Sequence, residues 1–118
     1  MGALEYNNEE EIFMYTATVT VGANATGLRT LVNTASAGEI PATFNGRAFQ
    51  VILLTTVGTV VLSSKGDTSP PAPPPAGNGV TLIANVPVDF QAPTGNQISI
   101  DEIFLSGVGT VGVMILVL

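Results

Sequence analysis

The side chains here that could do chemistry are carboxylates. Glu39, Asp67, Asp89, Asp101 and Glu102 lie beyond the first eleven residues, and a pair of carboxylates is all that most glycosidases need for acid–base and nucleophilic work. The spacing does not favour such a pair. Asp101 and Glu102 are adjacent, and adjacent side chains on a strand point to opposite faces, which leaves combinations such as Asp89 with Asp101. A carbohydrate cleft also uses aromatic platforms, whereas this chain has no Trp, five Phe and two Tyr. We read the carboxylates as structural and expect no enzyme. Calcium held by Asp89, Asp101 or Glu102 with backbone carbonyls is conceivable, but no DxDxDG-like loop is present, and we expect no metal and no cofactor.

Other chemistries fail on residue type. With no His and no Cys there is no Ser-His-Asp triad, no thiol nucleophile, no disulfide and no ordinary zinc site. Gly107-Val108-Gly109-Thr110-Val111-Gly112 spells GxGxxG, but a dinucleotide site needs a helix after it and an acid about 20 residues on. Only six strand-like residues follow, so we expect these glycines to turn a hairpin and relieve a crowded strand. Asn24-Ala25-Thr26 is a glycosylation sequon, which matters only on a secretory route; Glu9-Glu10-Glu11 after the first residues is the wrong charge for a secretory leader. The cations Arg29, Arg47 and Lys65 are too few and too scattered for a phosphate-binding surface, so no nucleic acid is expected. Uncharged apolar stretches reach 48–64 and 103–118, short of the roughly 18 residues a spanning helix needs, and a membrane helix is not expected.

The 118 residues fit one domain. Charged residues make up 10% of the chain, against about 25% in typical soluble domains. The net charge is −6, but Glu5, Glu9, Glu10 and Glu11 all lie in residues 1–11, which leaves five acids and three cations, a formal −2, for the remaining 107 residues. So neutral a body suits being covered by partners. We divide the chain into an acidic arm, 1–11, and a β-domain, 12–118, with a Pro-rich loop at 65–79.

Period-two alternation runs through Ile12–Val21, with Phe13, Tyr15, Ala17, Val19 and Val21 on one side and Thr16, Thr18 and Thr20 on the other. Leu28–Thr34 reads as a shorter strand. Asn45-Gly46 is a hairpin signal, because both positions tolerate positive φ. Arg47–Thr56 and Thr59–Ser64 follow as two strands, then the loop with Pro70, Pro71, Pro73, Pro74 and Pro75, whose rings favour polyproline II geometry. Val80–Asn85, Val88–Phe90, Gln97–Asp101, Ile103–Ser106 and Thr110–Leu118 complete about eight short strands with no convincing helical pattern. That spacing predicts an all-β sandwich or barrel. Val111–Leu118, apolar and uncharged, would aggregate on an open edge. It must lie mid-sheet or under a neighbouring subunit, which points to a homo-oligomer.

Three stretches resemble small bacteriophage virion proteins of the capsid decoration or cement type. They are Asn45-Gly46-Arg47-Ala48-Phe49-Gln50-Val51 running into a strand that ends Leu62-Ser63-Ser64, Gly79-Val80-Thr81-Leu82 followed by Pro87–Phe90, and the closing pair Ile103–Gly107 with Thr110–Val113. The resemblance implies a jelly-roll-like β-sandwich on the capsid exterior, made in the host cytoplasm, often trimeric, and bound to the major capsid protein or other virion subunits. On that reading Leu4, Tyr6, Glu9, Glu10 and Glu11 of the arm dock on a partner, and Pro70, Pro71, Pro73, Pro74 and Pro75 form a stiff projecting tip. The alternative from another class is a carbohydrate- or receptor-binding module, such as a head fibre or tail component, that uses the Pro-rich loop.

Overall fold

The computed structural model describes residues 13–36, 40, 44–64 and 79–117. In chain order they form β1 (Phe13–Val21), β2 (Thr26–Gly27), α1 (Leu28–Ser36), β3 (Arg47–Ala48), β4 (Gln50–Ser64), β5 (Val80–Leu82), β6 (Val88–Gln91), β7 (Ile98–Ser99), a 3-10 turn (Ile100–Glu102) and β8 (Ile103–Val117). The protein is mostly β, and every strand pair is antiparallel.

Two 15-residue strands make the spine. β4 and β8 pair from Gln50↔Leu116 to Ser64↔Ile103, a ribbon about 50 Å long at strand rise. β1 flanks β8 from Phe13↔Val117 to Val21↔Gly109, and β2 continues the same edge at Thr26↔Leu105. β6 and β5 flank the other side of β4. The apolar C-terminal run therefore occupies a central strand with its amides and carbonyls paired on both sides, the first of the two placements its sequence allows. β3 and β7 form a separate two-stranded ribbon.

Four expected strands merge into two, for a physical reason. β4 continues through Gly58 with a bulge between Thr55 and Val57. Before the bulge Val51, Leu53 and Thr55 are buried; after it Val60 is, so the buried parity changes from odd to even. An extra residue on one strand produces that change without breaking the ladder. β8 likewise continues through Gly107-Val108-Gly109, which do not turn a hairpin. Their other expected role, relief of crowding, is what the backbone shows: a Cβ on Gly109 would overlap the carbonyl oxygen of Val57, and one on Gly107 that of Thr59.

Leu28–Thr34 is helical, which corrects both the strand and the absence of helix expected there. Leu28, Leu31, Val32 and Ala35 stand at i, i+3, i+4 and i+7, the helical period, although Thr30, Val32 and Thr34 also satisfy strand alternation. The core decides between them. Leu28 and Val32 are fully buried in one cluster with Val19, Val21, Leu53, Leu105 and Ile115, and a helix puts both side chains on one face of the chain whereas the strand would also aim Thr30 inward.

Asn45-Gly46 is not a hairpin turn either. Asn45 Oδ1 accepts from the Arg47 amide at 2.9 Å, and Gly46, at φ +79°, accepts from the Ile100 amide at 2.8 Å. The bend tucks the chain beneath Arg29 of α1. The Arg29 guanidinium donates to Asp101 Oδ1 at 2.7 Å and Oδ2 at 3.4 Å, donates to the Phe44 carbonyl at 2.9 Å, and stacks 5.7 Å from the Phe44 ring centroid. Asp101 and Glu102 thus sit on a 3-10 turn, not on a strand. No helix among the described residues is long and apolar enough to cross a membrane.

Candidate interaction surfaces

The core covers one face of the main sheet. The opposite face is built by the other parity of each strand, and the pairing register sets it out in rows. Met14, Leu116, Gln50 and Gln91 form the first row; Thr16, Met114, Ile52 and Asp89 the second; Thr18, Gly112 and Leu54 the third. Ile52, Leu54, Met114 and Leu116 are partly exposed and make an apolar stripe along the two central strands. One rim is hydroxyl, from Thr16, Thr18 and Thr20 of β1. The other is carboxylate and amide: Asp89 accepts from Gln50 Nε2 at 3.0 Å and from Gln91 Nε2 at 3.3 Å. A shallow hollow of about 570 Å³ is lined by Thr16, Thr18, Ile52, Leu54, Gly112 and Met114 of this face, together with Pro87 and with Ala35 of α1.

A second apolar surface lies at the sheet edge. Asn85 takes a left-handed conformation (φ 65°) and its amide donates to the Thr55 carbonyl at 2.7 Å, while Val86 N donates to Ile83 O at 3.2 Å. This tight turn holds Ile83 outward at 67% exposure and Val86 at 48%, while Val80, 66% exposed, stands on β5 with the parity of buried Leu82. Val108, on β8, is 69% exposed. A third surface is polar: Arg47, Asp89, Phe90, Gln91, Gln97 and Glu102 line a hollow of about 740 Å³ between β6 and the β7–turn segment.

The sequence-derived contact residues Leu4, Tyr6, Glu9, Glu10, Glu11, Pro70, Pro71, Pro73, Pro74 and Pro75 lie outside the described residues, as do Glu39 and Asp67. The remaining carboxylates have separate employments. Asp101 is bound to Arg29, and Asp89 anchors the glutamine rim. Among the described residues no group of three or more acids is placed to hold a metal ion. Sequence reasoning missed the open face because its members come from four strands whose register is not written locally. Its one legible signal was the Thr parity of β1. Compared with protein-family models, curated proteins and solved structures, the chain has no match in any of the three.

Proposed function

We propose that this protein is a structural subunit of a virion, of the capsid decoration or cement type, which acts by burying its apolar surfaces against capsid subunits. The observation that carries this reading is the outward pair Ile83 and Val86, held at a hydrogen-bonded turn on a body with few charges. Large apolar side chains fixed outward in a cluster mark association surfaces. In a jelly-roll-like sandwich the six-stranded sheet would be one layer, with the β3–β7 ribbon and α1 standing where the second layer lies. Peptide mass spectrometry and immunogold labelling of gradient-purified phage particles from the source culture test the proposal. A fixed copy number per particle supports it; recovery only from the particle-free fraction refutes it.

A second reading is favoured by the polar hollow, whose Arg47, Gln91, Gln97 and Phe90 offer donors, acceptors and a ring face to a sugar. A glycan array probed with the wild type and with Gln97→Ala separates the two: glycan binding lost in the variant favours the carbohydrate-binding module.

A further inference from the structure

We infer that the open sheet face binds a second copy of this chain, face to face, about a two-fold axis parallel to the strands and passing between β4 and β8. This inference does not depend on the virion proposal.

Gly112 is the first ground. It lies mid-strand, paired with Thr18 on one side and Leu54 on the other. A glycine there weakens a strand, and nothing among the described residues requires one. Its φ is outside the left-handed region, and an added Cβ would meet only the Leu54 carbonyl oxygen, at an ordinary 3.8 Å. Gly109, three residues earlier, is different, because its Cβ would collide with β4. Gly112 instead leaves a notch in the apolar stripe, directly beside the Leu54 side chain.

The second ground is what the axis does with the rows. A two-fold along the strands exchanges β4 with β8 and the β1 rim with the β6 rim. Leu54 of each copy then falls over the Gly112 notch of the other, and Ile52 falls over Met114. Thr16 falls over Asp89, which sets a hydroxyl donor against a carboxylate. A carboxylate has about four lone-pair positions, and the two glutamine amides leave room for another donor. A two-fold across the strands would instead lay like rims together, hydroxyl on hydroxyl and carboxylate edge on carboxylate edge. In the first row the axis lays Leu116 over Gln50 and Met14 over Gln91; in the second and third rows it sets knob to hole and donor to acceptor, which the axis across the strands does not, and it is these rows that make the isologous match.

The third ground is area. Three strands of nine residues and the four residues of β6, at about 4.8 Å by about 3.4 Å each, give ~500 Å² in flat projection before side-chain relief is counted. Standard protein interfaces take about 800 Å² of accessible surface per partner. Face-to-face sheets pack about 10 Å apart with their strands within about 30° of each other, which this axis permits.

Sedimentation velocity over a concentration series tests the inference on the full chain, with Gly112→Val and Met114→Lys beside the wild type. Gly112→Val fills the notch with a strand-favouring side chain and leaves the monomer fold intact. The expected result is a wild-type dimer and, for both variants, a dimer dissociation constant raised at least 100-fold. Far-UV circular dichroism should be unchanged, and the melting midpoint at dissociating concentration should be equal or higher for Gly112→Val. A wild type that stays monomeric at all concentrations overturns the inference. So does an oligomer that Gly112→Val leaves intact, or cross-linking that places residues 1–12 of the same chain on Leu54.

Discussion

Deleting one residue at the right place in β4 should be almost harmless, and deleting one from β8 should be ruinous. Thr56 is the extra residue of the bulge: Thr55 pairs with Val111 and Val57 with Thr110, so its removal joins consecutive pairs into a regular ladder. Val60 stays opposite Gly107, Gly58 opposite Gly109, and every core side chain keeps its face. What is lost is an exposed side chain and its 3.4 Å hydrogen bond to the Thr110 carbonyl, together with the bulge's local twist. We expect a cost of about 1 kcal/mol, that of an ordinary point change. β8 pairs with β1 from Gly109 to Val117 without interruption, so loss of Gly112 moves residues 113–117 to the opposite face. Val113, Ile115 and Val117, each less than 10% exposed, would leave the core. At roughly 2 kcal/mol per buried aliphatic side chain the loss is about 6 kcal/mol, comparable with the whole stability of a small domain. Urea unfolding followed by far-UV circular dichroism, at matched oligomeric state, measures both. Equal losses in the two deletions, or a folded Gly112 deletion of wild-type stability, would refute this account of the register.

Smaller substitutions probe individual contacts. Thr55 Oγ1 is buried and has no hydrogen-bond partner among the described residues; an unpaired buried hydroxyl costs about 1–3 kcal/mol, so Thr55→Val should raise the urea midpoint by an equivalent of about 1 kcal/mol, and a fall in midpoint would mean that the hydroxyl is satisfied. Gly46→Ala places a Cβ into Arg29 and strains a positive φ, for an expected loss of about 2–3 kcal/mol. Because much of that loss passes through Arg29, the double variant Arg29→Ala/Gly46→Ala should lose less than the sum of the singles by about 1 kcal/mol, and strict additivity in the thermodynamic cycle would show that the two sites are uncoupled. Leu28→Ala should cost about 2–4 kcal/mol and should not reduce the strand signal in circular dichroism selectively, since the helix covers a sheet that is paired independently of it.

Some features of this protein were legible in the chain alone because they depend on near neighbours. The alternation of Phe13 to Val21 placed Thr16, Thr18 and Thr20 on the face away from the core. The apolar run Val111–Leu118 called for a place mid-sheet or under a neighbouring subunit, and β8 is a central strand. The segment around Leu28 was ambiguous, since the same apolar residues satisfy two periods, and only the surface it packs against chooses between them. Other features rest on residues far apart in sequence. Arg29 meets Asp101 across 72 positions, Gly107 and Gly109 of β8 are required by carbonyls of β4, and Gly112 becomes a notch only because Leu54 stands beside it. A side chain's facing direction follows from local period, but its partner follows from strand register, and register is set by the packing of the whole sheet. That is why the element types were largely readable from the sequence, while the open face, the bulge and the clamp were decided only by the tertiary structure.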